Sequence, residues 1–175
     1  MAIKKILFHD NPLLRQKSQR LKKIEPSTQA LIDDMIETMR AANGVGLAAP
    51  QIGVLCRVIV IEIPPETDEP ESKSQLYVLI NPEIVKRSDE EEVADEGCLC
   101  LPNYVAEVPR AFAVTAKGKD RHGKDIRVKG QGLLARALQH EIDHLDGVLF
   151  TDRMEDPSTL RYVPPKQQPP QEAEL

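Results

Sequence analysis

The 175-residue chain contains no tryptophan, and aromatic residues make up only 3% of it. Its core is therefore expected to be aliphatic. It has no run of 18 or more apolar residues, which excludes a transmembrane helix on length. The first ten residues, Met1 to Asp10, lack the apolar stretch of a secretory signal and the Arg/Ser richness of a transit peptide. Cysteine is scarce and odd in number: Cys56, Cys98 and Cys100. That count argues against a disulfide framework and for a reducing, cytoplasmic setting, where thiols serve as core residues, metal ligands or nucleophiles. Basic surplus is also missing. With 23 Lys and Arg against 28 Asp and Glu, the formal net charge is −5, and no basic stripe marks a nucleic-acid binder.

What is present fits one domain. Apolar residues are 41% and charged residues 29%, the balance of a globular protein. Leu31, Ile32, Met35, Ile36 and Met39 share one helical face, so Ser27 to Ala42 is expected to form an amphipathic helix. Ser27 is the expected N-cap, and Asn43-Gly44 the stop. Arg57 to Ile63 is nearly continuous and β-branched, the pattern of a buried strand. Pro64 to Gln75 is expected to be a mobile surface loop. Leu76 to Ile80 is expected to be a strand stopped by Asn81-Pro82. Tyr104 to Val108 and Phe112 to Lys117 alternate, and the latter pairs with Ile126 to Lys129 across a turn at Asp120 to Gly123. A second helix is expected from about Leu133 to Leu145. Strands in runs, without βαβ alternation, point to an α+β fold with mostly antiparallel sheets packed around that second helix. Residues 1–163 are taken as a single catalytic domain, and Pro164 to Leu175, rich in Pro, Gln and Glu, as a disordered tail.

The strongest chemical signal is His140-Glu141-Ile142-Asp143-His144, an H-E-x-x-H pattern within the second helix. At about 100° per residue, His144 lies about 40° around the axis from His140 and one turn along, so both imidazoles can grip one cation. Glu141 falls beside them, placed to take a proton from metal-activated water rather than to ligate. Ile142 points away, toward the packed side. His9 and His122 are expected to be solvated. The third ligand decides the class. Phe150 stands where one group of zinc proteases has a third histidine, and the downstream glutamates lie among prolines. The upstream segment Glu96 to Pro102 remains, where either Cys98 or Cys100 could supply a thiolate. Two imidazoles and one thiolate leave a fourth position open, as catalytic sites do, and favour Zn²⁺, Fe²⁺ or Co²⁺ over hard ions.

Three blocks resemble peptide deformylase: Gly44-Val45-Gly46-Leu47-Ala48-Ala49-Pro50-Gln51-Ile52-Gly53, then Glu96-Gly97-Cys98-Leu99, then Gln139-His140-Glu141-Ile142-Asp143-His144. The resemblance spans about residues 3 to 152. It implies that Cys98, His140 and His144 are the metal ligands and that Glu141 is the general base and acid. It implies that the Gln51 side-chain amide and the Leu99 backbone N–H stabilise the oxyanion. Val45, Gly46, Gly97, Leu133, Arg136 and Ala137 are expected to border the substrate. The implied reaction removes the formyl group from the N-terminal formyl-methionine of nascent peptides emerging from the ribosome, with metal-bound hydroxide attacking the formyl carbon. Fe²⁺ is the implied metal in the cell, and Zn²⁺, Ni²⁺ or Co²⁺ can take its place. The glycines of Gly44 to Gly46 would let an extended substrate approach the backbone.

Two departures stand out. Cys100 occupies a place where the family usually has serine, and its thiol is expected to point away from the metal or to hydrogen-bond weakly nearby. The chain also ends in a Pro/Gln-rich stretch where some members carry a basic helix, so ribosome docking through such a helix is not expected. Cys56 is expected to be a small core residue. The competing assignments are an endopeptidase, which needs a further ligand after His144, and a catalytically dead or structural metal module, which would normally lose Glu141 or Gln51.

Overall fold

A computed structural model describes residues 2–65 and 73–164. The expected tail, apart from Pro164, and the middle of the expected 64–75 loop lie outside these residues. The chain forms α1 (Pro26–Ala41), β1 (Gly46–Ala48), β2 (Val58–Ile63), β3 (Gln75–Arg87), β4 (Glu91–Cys98), β5 (Leu101–Ala111), β6 (Ala113–Lys119), β7 (Asp125–Gln131), α2 (Gly132–Leu145) and β8 (Arg161–Tyr162). Five strands make one sheet in the order β1-β2-β3-β6-β7, and β4-β5-β8 make a second. Every pairing between these strands is antiparallel. The fold is α+β, dominated by antiparallel sheet. Among the described residues, no helix is long and apolar enough to cross a membrane.

The continuous apolar run in β2 has a direct cause: both its faces are covered. Val58 and Val60 pack with Ile32, Met35, Ile36 and Met39 of α1. Ile59 and Ile61, on the other face, pack with Ala135, Leu138, Ile142 and Leu145 of α2. A strand covered on one face would alternate; one covered on both cannot. The apolar side of α2 is thereby spent on the five-stranded sheet. Its other side, carrying Arg136, His140 and His144, turns toward the second sheet, where Arg136 donates to the carbonyls of Val108 and Glu92.

Some boundaries differ from expectation. Glu25, not Ser27, precedes the first turn of α1, with Pro26 at its first position and the Thr28 hydroxyl accepting from the Glu25 N–H. Proline at the first helical position loses no bond, because that N–H has no helical partner. Asn81-Pro82 does not end β3. Asn81 takes a positive φ of 53°, the register to β6 shifts between Ile80 and Glu83, and the strand resumes. The Asn81 side chain donates to the Leu21 carbonyl and accepts from its N–H, which replaces the interrupted ladder. The acidic stretch Glu91 to Glu96 had no strand-like pattern, yet it forms β4 by pairing along β5, with most of its side chains exposed. The β6–β7 hairpin forms as expected, its turn held by Asp120.

Candidate active site

Three elements converge at the bottom of a cleft of about 600 Å³. The first is the end of β4, which delivers Cys98 just before a two-residue turn at Leu99 and Cys100. The second is α2, which delivers His140 and His144 one turn apart. The third is the short helical turn Ala49–Ile52, which delivers Gln51. The Cys98 Sγ lies 3.3 Å from His144 Nε2, which lies 3.2 Å from His140 Nε2. Ligand atoms of Cys98, His140 and His144 all fall within 4.8 Å of one another.

Each donor is oriented from behind. His140 Nδ1 sits 2.6 Å from Glu96 Oε1, which fixes the tautomer with the proton on Nδ1 and turns the Nε2 lone pair into the site. Glu96 also receives two hydrogen bonds from Arg110 and one from Arg136. Burial alone would raise its pKa. The His140 and Arg110 hydrogen bonds outweigh that and hold the carboxyl below the usual carboxylate range. Arg110 continues to Asp143, which also pairs with Arg153. Burial favours the neutral form of His144, the form that can donate a lone pair. The hydrogen bond with Cys100 and burial push the Cys98 thiol well above its ordinary value. A thiolate there needs a cation beside it. Two inward lone pairs and a thiol, with no carboxylate among them, fit one divalent metal ion of the borderline-soft kind.

Glu141 is 4% exposed, and its Oε2 has no hydrogen-bond partner among the described residues. Burial pushes its carboxyl up to about 7. Gly46 lies directly against it: a Cβ added there would come 2.4 Å from Glu141 Oε1. The Gln51 side-chain carbonyl accepts from the Ala48 N–H at 2.7 Å, which points its amide nitrogen toward the thiols. That nitrogen is 3.3 Å from Cys100 Sγ and 3.6 Å from Cys98 Sγ.

All the residues expected from the sequence to border the substrate, Val45, Gly46, Gly97, Leu133, Arg136 and Ala137, line this cleft together with Leu99. Arg136 lines it, but its guanidinium is engaged with Glu96 and two backbone carbonyls and is only 7% exposed as a residue. Cys100 is buried, facing Gln51, and Cys56 lies in the core between α1 and β2. His9 and His122 are exposed, as expected. Sequence reasoning missed the buried ion network of Glu96, Arg110 and Asp143. Arg110 carries no local signal, since it meets Glu96 only through the β4–β5 pairing.

Residues 3–159 match the family model described as polypeptide deformylase. The peptide deformylase of Thermomicrobium roseum is 51% identical over 173 residues, covering 99% of this chain and 98% of its own. A crystal structure of a peptide deformylase from Legionella pneumophila is similar at a TM-score of 0.80 and 45% identity, over 88% of this chain and 87% of that one. A Met-Ala-Ser-bound class I type b peptide deformylase from Acinetobacter baumannii aligns at a TM-score of 0.81 and 32% identity, over 87% and 99% of the two chains.

Proposed function

This chain belongs to the polypeptide deformylase family, and we propose that it hydrolyses the N-terminal formyl group of formyl-methionine on nascent polypeptides. One observation carries the mechanism: Cys98, His140 and His144 converge beside an unpartnered, buried Glu141 and an inward-facing Gln51 amide. Cys98, His140 and His144 hold one divalent ion, Fe²⁺ in the cell, with Zn²⁺, Ni²⁺ or Co²⁺ able to replace it. That ion supplies Lewis acidity, which brings the ionisation of water from 15.7 down to about 7.

The protein's own groups do the rest. Glu141 takes a proton from the water whose oxygen bonds to the formyl carbon. The Gln51 amide and the Leu99 N–H donate to the carbonyl oxygen as it gains charge, each worth about 10²–10³ in rate. Glu141 then gives the proton to the departing nitrogen, the C–N bond breaks, and formate leaves a free α-amine. A carboxyl poised near 7 by burial is suited to accept and return one proton at neutral pH. The edge of β1 at Val45 and Gly46 accepts the peptide in an extended form. Glu96 and Arg110 act on His140, not on the substrate. Both sheets and α2 contribute to the cleft, which supports reading residues 1–163 as one catalytic domain. The Met-Ala-Ser bound to the Acinetobacter relative has the form of a deformylated product, which supports a peptide substrate.

The test is formate release from formyl-Met-Ala-Ser, run beside an unformylated oligopeptide. Formate from the first and no cleavage of the second is expected. Absence of formate with metal loaded, or internal cleavage of the second peptide, would overturn the assignment.

A further inference from the structure

The cleft has a second wall that the catalytic groups do not explain. Val163 and Pro164 line it, next to Pro102, Asn103 and Tyr104. They are brought there by β8, which adds to β5 with Tyr104 opposite Tyr162 and Val105 opposite Arg161. Three further contacts fasten this short strand. The Val163 N–H donates to the Asn103 carbonyl at 2.7 Å. The Tyr104 and Tyr162 rings meet edge to face at 5.6 Å. Arg161 makes a two-pronged pair with Asp95, itself part of the cleft lining.

Apolar side chains at this rim are open to solvent. Val163 is 42% exposed, Tyr104 39% and Tyr162 56%. Two of the chain's three tyrosines therefore stand half in solvent at one rim. A two-residue strand fastened this thoroughly, with its apolar side chains left open beside a cleft, is arranged to meet something apolar. Val163 and Pro164 carry no polar side-chain atom, so this wall offers a substrate apolar contact and takes no part in proton transfer or oxyanion binding.

Resting on the deformylase assignment, we infer that Val163 and Pro164 are specificity-determining residues that contact the peptide beyond its first residue and favour an apolar side chain there. The formyl group and the methionine are held at the converged donors and at β1. The residues that follow leave the cleft past the β5–β8 wall. Val163 offers them two methyl groups and Pro164 a rigid ring face, with the tyrosine pair behind.

The experiment uses the full-length, metal-loaded chain with Val163→Ser and, separately, Pro164→Ser. Both positions are on the surface, and the melting temperature of each variant is measured beside its kinetics. Three substrates are compared: formyl-methionine amide, formyl-Met-Ser-Ser and formyl-Met-Leu-Leu. The wild type is expected to prefer the leucine peptide. Each variant is expected to lose roughly three- to tenfold in kcat/KM on the leucine peptide, chiefly through KM, less than the roughly 10–200-fold of a methylene in an enclosed pocket because this wall is half open to solvent. Formyl-methionine amide is expected to be unaffected. An equal loss on all three substrates would show that the wall is structural and would overturn the inference, as would no change on any. A wild type that releases no formate from any substrate would instead sink the deformylase assignment, so the two failures are distinct.

Discussion

In the proposed mechanism, Glu141 and Gly46 make the chemistry rest on single atoms. Glu141 has a buried, unpartnered oxygen and sits against a residue with no side chain. Glu141→Gln keeps shape and removes proton transfer. It is expected to retain metal, measured by elemental analysis, while kcat falls about 10²–10⁴-fold. Loss of metal together with activity would make Glu141 a ligand instead. Gly46→Ala forces a methyl group onto the same carboxylate, so it is expected to lower kcat with little change in melting temperature. Unchanged turnover would mean that Glu141 can move aside without cost. Cys56 gives the contrasting case of a thiol with no role in the chemistry. Burial pushes it up to about 11. The thiolate is the reactive form, so native Cys56 is expected to resist iodoacetamide at pH 8. The sign for stability follows from the raised pKa: the contribution is full below the unfolded value of about 8.5 and is lost as pH rises through 11. Rapid labelling at pH 8, read by peptide mass spectrometry on folded protein, would contradict the burial.

At the scale of elements, what could be read in the sequence depended on whether a local pattern determined the element. The α1 face, the β2 run, the β6–β7 hairpin and the H-E-x-x-H turn of α2 are local patterns, and they were legible. β4 was not, because its acidic residues form a strand only through pairing with β5. The passage of β3 through Asn81-Pro82 was not, because Leu21, sixty residues away, takes over the broken bonds. The same reason hid the ion network. Arg110 on β5 joins Glu96 on β4 to Asp143 on α2, and each pair is far apart in sequence. Both Arg110 and Glu96 are nearly fully buried. Removing one partner of such a pair leaves a buried charge underpaired. Arg110→Met is therefore expected to destabilise the fold by about 3–5 kcal/mol in urea unfolding, and Arg161→Met, in the solvent-screened Asp95 pair, by far less. Equal costs would show that burial does not set the value of these pairs.

For the whole molecule, the candidate metal centre is also a structural joint. Cys98 belongs to the three-stranded sheet, while His140 and His144 belong to the helix that packs on the five-stranded one. A metal that binds only the folded chain adds stability by mass action, about 4 kcal/mol when free metal is a thousandfold above its Kd. For a domain of this size, each 1 kcal/mol moves the melting temperature by about 2–4 °C. Stripping the metal with a chelator is therefore expected to lower the melting temperature by about 8–16 °C, and adding Ni²⁺ or Zn²⁺ to restore it. Cys98→Ser should remove most of that response if Cys98 is, as proposed, the ligand contributed by β4. Cys100→Ser should leave it nearly whole, because a second thiolate would close the position that hydrolysis needs open. Calorimetry with and without metal on the wild type and both variants reads this directly, independently of any activity assay. A melting temperature indifferent to metal, or an equal loss in the two cysteine variants, would mean that Cys98, His140 and His144 do not form the centre assigned to them.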